Sequence, residues 1–146
     1  WQVATGFENL KAGIDKILSQ GVELLVISRG ENGAIATNGD YYIELPGLEV
    51  DVVETTGAGD GFLGAIITAL LPEREKTGSL STIGEDIVRD ALIEANAVGA
   101  LTCKKPGAIP ALPTRAETEK FIDKLAGNCK LCKLGSDQGR TPSTKE

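Results

Sequence analysis

Apolar residues in the first part of the chain recur at spacings that predict a helix followed by a strand. Between Glu8 and Gln20 they return every three or four residues, and Gly21 follows where a helix commonly ends. The almost continuous apolar run from Val22 to Ser28 predicts a strand that is buried on both faces. A helix that leads into such a strand is typical of a layered α/β fold.

The pattern then changes to that of a β-hairpin and a further strand. Residues 34–37 and 40–45 are strand-like segments on either side of Asn38-Gly39, a pair that supplies the positive φ angles of a two-residue turn. Residues 48–53 predict another short strand. A glycine-rich segment follows directly, so it lies between a predicted strand and the next predicted helix.

Two helices are predicted after the glycine-rich segment. The apolar run from Asp60 to Leu71 predicts a compact helix that Pro72 ends. Thr82 and Glu85 have the spacing of a capping box, in which each side chain accepts an otherwise unpaired backbone N–H, and they open a helix to about Leu101. Its apolar stripe is narrow and rich in small residues, which favours close packing on a sheet. The stripe consists of Ile87, Ala91, Leu92, Ala95 and Val98.

A second capping box, Thr114 with Glu117, predicts the start of the last helix, which runs to Gly127. Its apolar positions are Phe121, Ile122 and Leu125. Residues 127–146 are polar and lack periodicity, so they predict a disordered tail after a domain formed by residues 1–126.

The three cysteines, Cys103, Cys129 and Cys132, are predicted to be free thiols in a reducing compartment, because their number is odd and the sequence shows no sign of secretion. Cys129 and Cys132 have the spacing of a zinc knuckle, but the chain has no second pair and no histidine to complete four ligands. Incidental cysteines are therefore favoured over a zinc site.

Composition limits the classes of partner. The chain is 41% hydrophobic and 25% charged, which is typical of a globular domain. Its formal charge of -6 argues against nucleic acid or an anionic membrane as the main partner, since both select clustered Lys and Arg. The longest apolar run, Phe62 to Leu71, is about half of a membrane span, and the first residues lack the pattern of a signal peptide. We therefore expect a cytoplasmic protein.

The glycine-rich segment from Glu54 to Phe62 reads ETTGAGDGF and allows two interpretations. Small residues ahead of a helix place backbone N–H groups at its positive end, where an anion binds without side-chain charge. Neither named phosphate motif fits, because no lysine lies in the loop and Phe62 stands where the dinucleotide fingerprint needs a third glycine. From spacing alone, a structural turn is slightly favoured over an anion site.

Asp60 also has two interpretations, which can coexist. As a helix N-cap it would contribute about 1 kcal/mol. As a carboxylate beside an anion site it would accept the proton of an attacking hydroxyl group in phosphoryl transfer. The absence of histidine removes Ser-His-Asp, Cys-His and His-zinc chemistry, which leaves carboxylate and backbone chemistry.

Three blocks of the sequence carry a resemblance to a known family. VDVVETTGAGDGFLGAIITAL resembles the PfkB signature of the ribokinase-like carbohydrate kinases, ISRGENGA lies before it, and residues 95–114 are similar to the C-terminal region of fructokinases. The resemblance implies an α/β fold, the C-terminal portion of a ribokinase-like αβα three-layer sandwich. Residues 1–126 would then be the nucleotide-binding half of the domain, and most of the sugar-binding residues would precede Trp1.

The same resemblance implies a role for each motif residue. Asp60 corresponds to the catalytic base, and the anion hole corresponds to Gly57, Ala58 and Gly59. The nucleotide-binding turn corresponds to Ser28, Gly30 and Gly33, and Asn96 matches a position beside the adenine.

A monovalent cation, K⁺, is a further implied ligand. The matching positions, several of which would act through backbone carbonyl groups, are Glu54, Thr56, Thr102, Lys105, Gly107 and Ala111. Glu54 departs from the usual Asp, Ala111 lacks a hydroxyl group that some members place there, and Gly61 replaces the commoner Ala.

The implied function is that of an ATP-dependent sugar kinase of the fructokinase type, with Mg²⁺ and ATP as cofactors and fructose as the sugar. One alternative is a catalytically silent nucleotide-binding or structural fragment, which would aggregate, pair with its other half or form a homodimer through its open edges. Another is a PfkB kinase for a different sugar, such as a ribokinase or a 2-keto-3-deoxygluconate kinase.

Overall fold

The computed structural model describes residue 6 and residues 9–127, in which helices alternate with one sheet. In chain order the main elements are α1 (Leu10–Leu18), β1 (Leu25–Ser28), β2 (Ala34–Thr37), β3 (Tyr42–Leu45), α2 (Ala58–Thr77), α3 (Glu85–Thr102) and α4 (Arg115–Gly127). Short 3₁₀ helices cover Gly30–Asn32, Leu80–Thr82 and Ile109–Ala111. Residues 128–146, on which the predicted tail and the Cys129/Cys132 pair fall, lie outside the described residues.

The sheet has three antiparallel strands in the order β1-β2-β3. The prediction of a strand at Val22 to Ser28 is confirmed only for its last four residues, Leu25–Ser28. Burial on both faces is wrong, because β1 lies at one end of the strand order and is half-buried, with Ser28 exposed. The central strand β2 is the one that is buried throughout.

The predicted hairpin is confirmed, but its connection is longer than two residues. Thr37 pairs with Tyr42, so residues 38–41 form the loop. The hydroxyl oxygen of Thr37 accepts the Gly39 N–H at 3.1 Å, and the side-chain oxygen of Asn38 accepts the Asp40 N–H at 3.0 Å. Side-chain oxygens therefore shape this turn, in the manner common for Asn and Thr.

The main core lies between the sheet and two helices. Helix α3 packs against β2 and β3, α2 and α4 pack against α3, and α1 packs against β1. Alternation along β2 turns Ala34 and Ala36 toward this core, whereas Ile35 belongs to the other face and is also fully buried. In the part of the chain that the structure describes, no helix is long and apolar enough to cross a membrane.

The strand predicted for residues 48–53 is wrong, since the described chain is irregular there. Val52 and Val53 are 61% and 63% exposed. The N–H groups of Val53 and Glu54 donate to the Cys103 carbonyl oxygen, at 2.8 and 3.2 Å. A strand needs a neighbouring strand to complete its ladder, and this segment bonds to the end of α3 instead.

Helix α2 differs from the prediction at both ends. It begins at Ala58 rather than Asp60, and it continues through Pro72 to Thr77, where Gly78 ends it with a φ of 81°. Proline fixes φ near the helical value and removes one hydrogen bond, which is tolerable at the exposed surface where Pro72 lies. Beyond it, the Gly78 N–H donates to the Arg74 carbonyl oxygen at 2.8 Å and closes the last turn.

The predicted capping box of α3 is wrong. Gly84 occupies the N-cap position, while the Thr82 hydroxyl donates to the Ser79 carbonyl oxygen and Glu85 pairs with Arg89 at 2.6 Å. The buried stripe is confirmed for Ala91, Leu92 and Ala95, and Val98 is half-buried. Ile87 is 42% exposed and Val88 is buried in its place, because Val88 has helical spacing with the buried residues that face the sheet.

The capping box of α4 is confirmed. A Glu117 carboxylate oxygen accepts the Thr114 N–H at 2.7 Å, and the Thr114 hydroxyl oxygen accepts the Glu117 N–H at 3.3 Å. The Lys105 ammonium group lies 3.1 Å from the same carboxylate. The Thr114 N–H and Lys105 together lower the pKa of Glu117 to about 2.

Replacing Glu117 by Gln is expected to flatten the pH dependence of stability in acid. The pKa of Glu117 is about 2 in the folded chain against 4.5 for an unperturbed glutamate. Its ionised form therefore stabilises the fold fully above about pH 4.5, and this contribution is lost as the pH falls toward 2. Thermal unfolding from pH 7 to pH 2 should show the wild-type advantage over Glu117→Gln shrinking within that window.

Glu119→Gln is the matched control for this experiment, since Glu119 lies on the same helix in a more exposed ion pair with Arg115. It is expected to change the midpoint little at any pH. If the melting midpoints of the wild type and Glu117→Gln differ by a constant amount from pH 7 to pH 2, the lowered pKa of Glu117 is contradicted.

Candidate functional site

A cleft of about 740 Å³ is the main concave feature near the predicted site residues. It lies between four parts of the chain: the turn after β1, residues 47–55, the start of α2, and the second half of α3. Six of the predicted residues line it, namely Ser28, Gly30, Gly33, Ala58, Gly59 and Asn96. The volume falls within the roughly 300–1,000 Å³ that is usual for small-molecule sites.

The glycine loop ends in a left-handed residue. Gly57 has a φ of 80° and is the N-cap of α2, so the interpretation of Asp60 as the N-cap is wrong. An added Cβ at Gly57 would lie 2.9 Å from the Cα of Ala108, which leaves no room for a side chain. The conformation and the close approach both require glycine at this position.

The first amides of α2 are available to a ligand. The Ala58 N–H donates to the Thr55 carbonyl oxygen at 3.2 Å and the Gly61 N–H donates to Gly57 at 2.8 Å. Within the described residues, no acceptor faces the N–H groups of Gly59 and Asp60. A Cβ at Gly59 would meet open space, so the backbone can be approached from that side. Such free N–H groups at a helix start favour an anion.

Asp60 lies in the first turn of α2, one residue after the cleft-lining Gly59. Its carboxylate is exposed and, among the described residues, forms no hydrogen bond or ion pair. Its own N–H is one of the two free amides, and Asp60 is not among the residues that line the cleft. An unpaired carboxylate next to an anion site is able to accept a proton from a neighbouring hydroxyl group.

The turn after β1 is shaped by two glycines with positive φ, Gly30 at 58° and Gly33 at 82°. The Arg29 N–H donates to the Gly33 carbonyl oxygen at 2.7 Å. An added Cβ at Gly33 would overlap the Leu45 carbonyl oxygen, and one at Gly47 would overlap that of Glu31. The backbone of the turn is therefore in direct contact with the backbone at the end of β3 and just after it.

Asn96 lies on α3 and faces the same cleft, with its side-chain nitrogen 3.4 Å from the Pro46 carbonyl oxygen. Sequence reasoning missed several other lining residues, among them Gly47, Phe62, Gly99 and Cys103. At Gly99, α3 lies in van der Waals contact with the glycine loop, since an added Cβ would lie 3.4 Å from the Ala58 carbonyl oxygen. The small residues in α3 were the available signal for this contact.

Three positions of the predicted cation site, Glu54, Thr56 and Gly107, are in contact through Glu54. A Glu54 carboxylate oxygen accepts the Gly107 N–H at 2.8 Å, and the Thr56 hydroxyl and this N–H lower the pKa of Glu54. The Thr102 hydroxyl instead donates to the Val98 carbonyl oxygen at 2.8 Å. The side chain of Lys105 pairs with Glu117, and Ala111 is fully buried. In the described part of the chain, no three His, Cys, Asp or Glu side chains form a group that suits a metal.

Solved structures share this arrangement of helices and strands. A fructokinase from Vibrio cholerae O395, crystallised with fructose, ADP and a potassium ion, superposes with a TM-score of 0.69 at 28% identity, over 83% of this chain and 37% of that one. A ribokinase from Thermotoga maritima gives 0.68 at 27% identity, over 84% and 37%. The fold, with its glycine loop above the cleft, is part of a ribokinase-like α/β domain.

The chain belongs to the family described as pfkB family carbohydrate kinase, whose model matches residues 4–115. Fructokinase-2 of Oryza sativa subsp. japonica is 36% identical over 121 residues, which are 83% of this chain and 34% of that protein. Fructokinase-2 of Zea mays is 37% identical over 119 residues, which are 82% and 34%. The chain thus spans about a third of the length of these relatives.

Proposed function

We propose that this chain is the nucleotide-binding part of an ATP-dependent sugar kinase of the fructokinase type, with residues 1–126 forming that part of the domain. The observation that carries the proposal is the pair of free amides at the start of α2, beside an exposed carboxylate and at the rim of a cleft of nucleotide size. The identity to named fructokinases supports fructose as the sugar.

In the proposed reaction the γ-phosphoryl group of ATP passes to a hydroxymethyl group of the sugar. Asp60 accepts the proton of the attacking hydroxyl group, and the free N–H groups of Gly59 and Asp60 stabilise charge on the transferred phosphoryl group. The turn of Ser28, Gly30 and Gly33 and the side chain of Asn96 hold the nucleotide. Mg²⁺ would neutralise the phosphate oxygens, to which it binds with few protein ligands.

Potassium is part of the proposal at the loop formed by Glu54, Thr56 and Gly107. The support is the carboxylate of Glu54 at this loop, together with the potassium ion in the related Vibrio cholerae structure. K⁺ is then expected to raise the rate over Na⁺ at equal ionic strength. Equal rates in the two salts would remove potassium from the proposal.

The second candidate function is that of a fragment that is silent without the rest of the family's domain. It is favoured by one apolar stripe on α2, where Leu63, Ile67 and Leu71 are each at least half exposed. A contiguous apolar surface on a helix favours association, in this case with the rest of the domain or with a second copy. The cytoplasmic location and the other sugars named above remain predictions.

The test measures kinase activity and MgATP binding for this chain alone and for the full-length gene product. We expect MgATP binding by the full-length protein, phosphorylation of fructose in preference to ribose and 2-keto-3-deoxygluconate, and little or no turnover by the chain alone. Preference for another sugar would correct the substrate. Absence of nucleotide binding by both forms would contradict the proposal as a whole, and turnover by the chain alone would exclude the silent fragment.

A further inference from the structure

Arg29 lies within the turn that lines the cleft, but its side chain is not part of the lining. Its guanidinium Nη2 donates to the Asn32 carbonyl oxygen at 2.9 Å and to a Glu44 carboxylate oxygen at 2.7 Å. Its own N–H donates to the Gly33 carbonyl oxygen, and its carbonyl oxygen accepts the Asn32 N–H at 3.1 Å. Backbone and side chain of this one residue thus close the Gly30–Asn32 turn from both ends.

Glu44 anchors this arrangement to the far strand of the sheet. It lies on β3 opposite Ile35 of β2, whereas Arg29 directly follows β1. The ion pair therefore spans the width of the sheet and ties the turn to a strand that is not its sequence neighbour. The Arg29 side chain is only 27% exposed, and its Nε is buried without a partner among the described residues. The guanidinium is held in place even though one of its donors remains unpaired.

Main-chain hydrogen bonds and backbone packing against the chain after β3 also support the turn, but Arg29 provides its side-chain hydrogen bond among the described residues. Two of its residues are glycines in the left-handed region, Gly30 and Gly33, which have many accessible conformations in a free loop. Ser28, Gly30, Glu31 and Gly33 face the cleft. Any ligand that contacts them loses affinity if it must order the turn on binding.

We propose that Arg29, through its ion pair with Glu44, is a positioning residue for the nucleotide. It holds the Gly30–Gly33 backbone in the ligand-binding conformation without touching the ligand itself. This inference rests on the proposed function, because the ligand of the turn is the nucleotide proposed there.

The test compares Arg29→Ala with Arg89→Ala in the full-length protein. Arg89 is a matched control, since its side chain is 28% exposed and pairs with Glu85 at 2.6 Å on α3, away from the turn. For Arg29→Ala we expect the Kd and KM for MgATP to rise by about 10-fold, as for lost preorganisation, with kcat and the sugar KM nearly unchanged. Arg89→Ala should leave all four constants unchanged.

Further variants test whether loss of the ion pair with Glu44 causes the weaker MgATP binding of Arg29→Ala. Glu44→Gln should weaken MgATP binding in the same direction, and adding it to Arg29→Ala should produce no further loss, because the two residues act as one contact. Arg29→Lys should restore part of the affinity by keeping the charge. If Arg29→Ala does not fold, Arg29→Lys and Glu44→Gln carry the test.

Two outcomes overturn the inference and are distinct from each other. Wild-type affinity for MgATP in Arg29→Ala or in Glu44→Gln would show that the turn needs no such support. Failure of the wild-type protein to bind MgATP would remove the proposed function, and the inference with it.

Discussion

Replacing Asp60 by Asn is expected to lower the turnover of the active kinase by at least ~10²-fold, the low end for the loss of a general base. The amide has nearly the shape of the carboxylate but cannot accept the proton of the sugar hydroxyl group. The KM values for sugar and MgATP should change little, because the reaction geometry is retained. Steady-state kinetics in the full-length protein measure all three constants.

Stability provides the internal check on this experiment. Asp60 is the third residue of α2 and Gly57 is the N-cap, so no capping hydrogen bond is lost on substitution. Only the attraction between the carboxylate and the helix N-terminus disappears, which is worth about 0.3–1 kcal/mol. The melting midpoint is therefore expected to fall by no more than a few degrees.

Asp86→Asn is the control for Asp60→Asn. Asp86 is an exposed carboxylate in the first turn of α3, so its loss has the same effect on a helix N-terminus but none on the site. We expect the two variants to melt alike and to differ only in turnover. Equal turnover in Asp60→Asn and the wild type would show that Asp60 is not the base.

Gly33→Ala is expected to destabilise the fold by about 3–5 kcal/mol or to prevent folding, the upper range for a single substitution. The φ of 82° strains any residue with a Cβ. The Cβ would also overlap the Leu45 carbonyl oxygen and lie 2.6 Å from the Gly47 nitrogen. These neighbours are backbone atoms and cannot rotate away. Urea unfolding of the variant measures the loss.

Gly30→Ala separates the strain of a positive φ from the steric overlap of an added Cβ. Gly30 is in the same turn and also has a positive φ, of 58°, but an added Cβ would meet nothing within 4 Å. The free energy of unfolding of Gly30→Ala should therefore fall only by the cost of a positive φ for a residue with a Cβ, about 1 kcal/mol. Gly47→Ala should resemble Gly33→Ala, since its Cβ would overlap the Glu31 carbonyl oxygen. Similar losses at Gly30 and Gly33 would contradict a steric role for the contact with the chain after β3.

Predictions that depended on neighbours in sequence were mostly confirmed. The hairpin strands follow from alternation on either side of a turn, and the α4 capping box follows from two residues three positions apart. The α3 capping box is a local prediction that failed, because Gly84 takes the N-cap position. The other failures depended on distant partners. Residues 48–53 have the composition of a strand but bond to Cys103, and Pro72 lies within a helix that continues to Thr77. No local pattern reports whether a partner strand or a buried face is present.

The sequence by itself determined the family, most of the elements and the residues of the glycine loop, because these are encoded in short contiguous patterns. The tertiary structure decided which of these residues meet. The cleft joins the turn after β1 to the start of α2 and to one face of α3, whose lining residues lie at least 25 residues further along the chain. It also decided the start of α2, where Gly57 is the left-handed N-cap and Ala108, 51 positions further along the chain, leaves no space for a Cβ. Contacts between backbones distant in sequence depend on how whole elements pack, and that information is spread over the entire core.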